Sequence, residues 1–230
     1  MAVALGSLLQ RPAIYIATGV AGVCVVYGLY RAWRYFRPNT EDEYFERIKN
    51  IPNPGERRVL ILGLDGAGKT RFARCFCKGR RRLGSTEETT VGFYVNSVTL
   101  GEIYLNMWDV GGSANCRGYW KEFVLNLDAI CYCVDSSQPA RFDEARRELH
   151  TFLKYEQTKG IPLILIATKR DKIDSVSPFA LYQHMNLDLV KKKRPVYLVG
   201  VQAPDSGARK GFMETYRLLV SIVEDKKKKV

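Results

Sequence analysis

Eight consecutive residues, Gly63-Leu64-Asp65-Gly66-Ala67-Gly68-Lys69-Thr70, have the types and spacing to hold a phosphate chain. They fit G-x-x-x-x-G-K-[ST], follow the short run Arg58-Val59-Leu60-Ile61-Leu62, and precede a helical pattern starting near Lys69. In a strand–loop–helix setting, the successive amides of Asp65, Gly66, Ala67 and Gly68 form a concave anion site at a helix N-terminus. Lys69 then reaches the β- and γ-phosphates, and the Thr70 hydroxyl ligates Mg²⁺. A chance Gly-rich turn would not need the strand before it. Two more clusters follow at apolar run ends. In Asp109-Val110-Gly111-Gly112 the carboxylate can hold Mg²⁺ through water and a glycine amide can bond the γ-phosphate. In Thr168-Lys169-Arg170-Asp171 a carboxylate can accept both hydrogens of a guanine N1/N2 edge, which adenine does not supply. Each tetrapeptide alone is ordinary loop chemistry; their order behind a phosphate loop joins them.

The elements that must position these clusters alternate along the chain. Candidate strands are Val59–Leu62, Phe93–Thr99, Ile103–Trp108, Ala129–Val134, Leu163–Ala167 and Val196–Val199. The pair flanking Gly101-Glu102 reads as an antiparallel hairpin. The others are separated by helical patterns such as Ala140–Tyr155 and Gly211–Val223, so they are expected to be parallel. The predicted fold class is therefore α/β, a mixed six-stranded sheet with helices on both faces. In such sheets ligands bind beyond the carboxyl ends of the strands, where the three clusters fall.

The chain has 230 residues and a formal net charge of +12, with basic clusters at Arg80-Arg81-Arg82, Lys191–Arg194 and Lys226–Lys229. No nucleic-acid recognition motif accompanies the charge, so an anionic leaflet is the expected attraction and nucleic acid is not an expected partner. None of the six cysteines forms a CxxC pair, which argues for free, buried thiols and against a metal or disulfide framework. Residues 13–30 carry no charge, and as a helix they reach about 27 Å, close to a bilayer's hydrocarbon thickness. Tyr27, Tyr30, Trp33 and Tyr35 read as an interfacial belt, and Arg31, Arg34 and Arg37 place the bulk of the chain on the cytosolic side. The expected organisation is a short N-terminus (1–12), a single-pass anchor (13–30), a basic and helical linker (31–56), the nucleotide domain (57–224) and a basic tail (225–230). Such an anchor suits the mitochondrial outer membrane or the endoplasmic reticulum.

From about Arg57 to the last helix, the chain resembles the Arf and Arf-like small GTPases. The resemblance rests on the phosphate loop, Thr90-Val91-Gly92-Phe93, Trp108-Asp109-Val110-Gly111-Gly112, Arg117 followed by Trp120, and Val134-Asp135-Ser136. It implies GTP/GDP and Mg²⁺ as cofactors, with Thr70, Thr90 and Asp109 around the metal. Lys169 would stack on the base and Asp171 would read guanine. It also implies that Phe93, Trp108 and Phe123 form an aromatic triad that docks protein effectors, where packing of the hairpin is the other reading. The expected assembly is a monomer or a hetero-complex.

The departures from the family pattern carry equal weight. Ser113 follows Gly112 where most Arf-like proteins have the glutamine that orients the attacking water, so hydrolysis at the Gly112–Ser113 position is expected to be slow. Thr168 replaces the usual asparagine. Val201-Gln202-Ala203 replaces the usual base-loop sequence, leaving the contact to guanine O6 to an amide at Gln202 or Ala203. Ala2 stands where a myristoylated glycine would be. Three functions stay open: a membrane-anchored switch with weak hydrolysis, a GTP-locked adaptor, and a receptor-subunit-like scaffold. A P-loop kinase or ATPase leaves residues 168–171 without a purpose.

Overall fold

A computed structural model describes Tyr27, residues 56–78, 89–204 and 208–227. The chain divides into two compact units, 1–39 and 40–230. Of the first, only Tyr27 is described, and it is helical. The expected anchor is otherwise outside the described residues, as is the linker apart from Glu56. Among the described residues, no helix is long and apolar enough to cross a membrane.

The second unit is built on six strands: β1 (Glu56–Leu62), β2 (Phe93–Leu100), β3 (Ile103–Val110), β4 (Ala129–Asp135), β5 (Leu163–Thr168) and β6 (Val196–Gly200). Their spatial order is β2-β3-β1-β4-β5-β6. Only β2 runs antiparallel, paired with β3 around Gly101-Glu102, as the hairpin reading expects. The central strands β4 and β5 are buried along their whole length, the signature of a parallel sheet covered on both faces.

Alternation within β1 sorts the two cores. Val59 and Ile61 face α1 (Lys69–Lys78) and α6 (Phe212–Lys227), packing with Phe72, Phe76, Phe212 and Leu219. Leu60 and Leu62 face the opposite side, where α3 (Phe142–Phe152) and α4 (Pro178–His184) supply Leu149, Phe152 and Leu181 around Trp120. Two single-turn helices complete this half, α2 (Ala114–Arg117) and α5 (Asp188–Lys191). α3 is shorter than its pattern because tight 3-10 turns at Pro139–Arg141 and Glu156–Thr158 bound it. α6 is longer and runs into the basic tail as far as Lys227. Four of the described cysteines are buried free thiols, whereas Cys116 is half-exposed. It lies on α2, at the mouth of the site.

Candidate nucleotide-binding site

Gly63 ends β1 with φ +142, and a Cβ there would lie 2.1 Å from the Cys133 carbonyl oxygen, so the loop can turn over β4 only without a side chain. The loop then closes on itself, with Lys69 Nζ donating to the Leu64 carbonyl at 2.8 Å. The Thr168 hydroxyl lies 2.8 Å from the Ala67 carbonyl and 3.0 Å from that of Val134. Thr168 thus pins the phosphate loop to β4 and β5, a bracing role that its small side chain performs while buried.

At the start of α1, Thr70 Oγ1 donates to Asp109 Oδ2 at 2.6 Å and lies 2.8 Å from Thr90 Oγ1. Three residues far apart in sequence therefore present oxygens to one point. Asp109 is fully buried, and its Oδ1 has no hydrogen-bond partner. Such an all-oxygen set fits Mg²⁺, a hard cation. Burial lowers the pKa of Lys69, against the pull of Asp109. Burial likewise raises that of Asp109, against the Thr70 hydrogen bond and Lys69. A divalent ion beside Asp109 and a phosphate beside Lys69 would each oppose these shifts.

Gly112 meets this cradle directly. A Cβ on it would fall 2.2 Å from the Gly63 carbonyl oxygen and 2.5 Å from Lys69 Nζ. Ser113 caps α2 with its carbonyl, which accepts from the amides of Cys116 (2.9 Å) and Arg117 (3.2 Å). The neighbouring Ser113 side chain and Gly92 backbone hold the Cys116 thiol below its ordinary pKa.

The base end is wider. A cleft of about 360 Å³ is walled by Gly68, Thr168, Lys169, Asp171, Ala203 and Phe212. Lys169 adopts φ +55 and places Nζ 2.6 Å from Asp135 Oδ2. Burial alone would raise the Asp135 pKa, but the Lys169 and Ser137 hydrogen bonds keep it low. Asp171 is exposed at the rim. Of the two candidates for the O6 contact, Gln202 is otherwise engaged. Its amide donates to Lys210 O at 3.1 Å, and its side chain donates to Ala208 O at 3.0 Å. Ala203 lines the cleft, and its carbonyl accepts from Arg71 Nε.

The sequence profile of the Arf family (ADP-ribosylation factor family) matches residues 45–223. The chain belongs to the Arf family of small GTPases. ADP-ribosylation factor-like protein 3 of Caenorhabditis elegans is 35% identical over 153 residues, 64% of this chain and 79% of the relative. ADP-ribosylation factor-like protein 2 of Arabidopsis thaliana is 33% identical over 158 residues, 68% of this chain and 84% of the relative. The structure of the Arl6 BBS3 small GTPase from Trypanosoma brucei with bound nucleotide analogue GppNp aligns with a TM-score of 0.62 at 24% identity. That alignment covers 74% of this chain and 99% of the other. An Arf-family fold implies GTP/GDP binding with Mg²⁺ as the usual cofactor.

The aromatic triad of this Arf-family chain is assembled. Phe93 stacks on Trp108 at 5.4 Å and meets Phe123 edge-on at 5.1 Å. Trp108 and Phe123 pack against the core while Phe93 stays 47% exposed. The packing reading thus holds for Trp108 and Phe123, while Phe93 remains accessible. Sequence reasoning missed Arg141, which donates to the Asp65 carbonyl and carboxylate at 2.7 and 2.8 Å. Its only sequence signal was the i,i+3 spacing to Glu144 at a helix start.

Proposed function

We propose that this chain is a membrane-anchored Arf-like GTP-binding switch that recruits protein effectors in its GTP state and hydrolyses GTP slowly. The observation that carries the reading is the convergence of Thr70, Thr90 and Asp109 at the end of the phosphate loop. Thr90 precedes β2 and Asp109 lies on β3, so a γ-phosphate drawing in Thr90 and Gly112 ties the hairpin's position to the nucleotide. Asp171 and Lys169 at the cleft favour guanine. Mg²⁺, held by Thr70, Thr90 and Asp109, neutralises phosphate charge when bound. Lys69 adds a fixed positive charge, and amides of the 66–68 stretch bind the phosphate oxygens, while the Asp65 amide holds the Gly112 carbonyl.

Ser113 supports slow turnover. Its side chain lacks the paired amide donor and acceptor of glutamine. The same observation favours a second reading, a GTP-locked adaptor or receptor-subunit-like scaffold with negligible hydrolysis. Phe93 with Trp108 and Phe123 offers the effector surface. Residues 13–30 enter the bilayer of the mitochondrial outer membrane or the endoplasmic reticulum, the domain faces the cytosol, and the basic tail keeps it near anionic lipid. The protein acts without nucleic acid, as a monomer or in a hetero-complex.

The test is the identity of nucleotide extracted from the purified full chain, followed by single-turnover hydrolysis. Guanine nucleotide with slow cleavage that Ser113→Ala reduces further supports the switch. Equal inertness of wild type and Ser113→Ala supports the locked adaptor. Adenine nucleotide overturns both.

A further inference from the structure

The guanidinium of Arg117 is nearly enclosed, with 9% of its side chain exposed, and all three of its nitrogens are engaged. Nε donates to the Gly112 carbonyl at 2.8 Å. Nη1 lies 2.8 Å from Glu144 and 3.3 Å from Glu148 on α3, and Nη2 lies 3.3 Å from Asp65 in the phosphate loop. Arg141 shares two of these carboxylates, at 2.8 Å from Asp65 and 3.1 Å from Glu144. Four of its five N–H donors are committed, to the Gly112 carbonyl, Glu144, Glu148 and Asp65, so Arg117 braces the loop around the site.

What it fixes is a direction. The Gly112 carbonyl is held from two sides, by Arg117 Nε and by the Asp65 amide at 3.1 Å. The preceding carbonyl, Gly111 O, accepts from Trp120 Nε1 at 2.9 Å. A trans peptide is planar, so its N–H points opposite its C=O. Anchoring Gly111 O therefore aims the Gly112 N–H, and anchoring Gly112 O fixes the peptide on the other side.

Resting on the GTP-binding reading above, we propose that Arg117 is a positioning residue for the γ-phosphate contact. It latches the Gly112 carbonyl to Asp65 and α3 and, with Trp120 aiming the Gly112 N–H through the Gly111 carbonyl, holds both sides of Gly112, so that this N–H is pre-oriented for a triphosphate and contributes nothing to diphosphate binding. Pre-orientation lowers the ordering cost of binding, and here only the ligand that reaches Gly112 benefits. The latch also couples the nucleotide's third phosphate to α3, remote from the effector hairpin.

The experiment compares affinities of GTPγS and GDP in the full chain for wild type, Arg117→Gln, Arg117→Lys and Glu144→Ala. Loss of one charge-assisted hydrogen bond predicts a fall in GTPγS affinity of about tenfold for Arg117→Gln, with GDP affinity within about twofold. Arg117→Lys does not restore it, because one ammonium cannot span Gly112, Asp65 and Glu144 together. Glu144→Ala leaves Arg117 in place but loosens it, lowering the GTPγS-to-GDP ratio by about threefold. It carries the test if the Arg117 variants fail to fold. An unchanged ratio, or equal loss for both nucleotides, overturns the latch while leaving guanine binding intact. A wild-type chain that binds neither nucleotide overturns the underlying reading and the latch with it.

Discussion

The phosphate end and the base end of the site are built differently. At the phosphate end, beside the loop's main chain, the charged and metal-facing groups are side chains of a few residue types, buried or half-buried. Lys69 is 6% exposed, Asp109 is fully buried, and the hydroxyls of Thr70 and Thr90 lie 2.8 Å apart. At the base end an exposed carboxylate on a loop and a stretch of main chain border an open cleft. Buried groups made of scarce residue types leave little freedom to the sequence. A contact made by an amide can come from almost any residue. The contrast therefore predicts steep losses at the phosphate end and graded ones at the base.

The steepest is expected at Lys69. Lys69→Ala removes a buried cation that faces both the Leu64 carbonyl and Asp109. Truncating one member of a buried charge pair costs about 3 kcal/mol, so guanine-nucleotide affinity should fall by more than about a hundredfold in equilibrium binding. A fall smaller than that of the next variant would erase the contrast. Asp171→Asn keeps the shape of the rim and removes the charge proposed to accept from guanine. Its expected cost is about ten- to hundredfold in GDP affinity, with inosine or xanthine nucleotides losing discrimination in the same titration.

Ser113→Gln probes the boundary between the two ends. Ser113 opens α2 with extended backbone (φ −65, ψ 155) and is partly exposed. A longer side chain can be accepted without crossing the Gly63–Gly112 contact. The amide would restore a paired donor and acceptor beside Gly112, and single-turnover hydrolysis should rise by roughly tenfold. No acceleration would place the hydrolytic deficit elsewhere in the cradle.

Legibility in the sequence follows the same division. The phosphate loop, Asp109 and Thr90 were readable because few other residue types can do their work. The central strands were readable because their runs are apolar on both faces, β2 and β3 because they flank a Gly101-Glu102 turn, and the structure extends each of the six by at least one residue. Short α4 and α5 were not. Seven and four residues give too little periodicity, although Ser177 capping the Ala180 amide with Pro178 at the first helical position is a recognisable start. In the Asp65–Arg117–Arg141–Glu144 network only the i,i+3 pair Arg141–Glu144 leaves a local pattern; the pairs to Asp65 span 52 and 76 positions and leave none. The bridge from Gln202 to Lys210 was equally invisible, since no composition encodes a main-chain pairing eight residues apart.

Acid should loosen the charged network without touching the glycine geometry beside it. The Arg141 hydrogen bond holds the Asp65 pKa low, and the Arg117 hydrogen bond does the same for Glu144. In the unfolded chain both carboxyls titrate near about pH 4. Their contribution is complete above that range and is lost as pH falls through the lower folded values. Both side chains are about one-third exposed, which keeps the contribution small. The difference in melting temperature between wild type and Arg141→Gln should be constant near neutrality and close below about pH 4. A gap that widens on acidification would contradict the pairing.

The smallest effect belongs to Gln202, and it separates main chain from side chain most cleanly. Its side chain holds the Ala208 carbonyl, and its amide holds Lys210 across a two-residue bridge, so neither faces the cleft. Gln202→Ala keeps the amide and gives up one partly exposed hydrogen bond, which should leave GDP affinity within about twofold. A loss matching that of Asp171→Asn would mean that the Gln202 side chain reads the base after all. The base end would then depend on side chains as heavily as the phosphate end does.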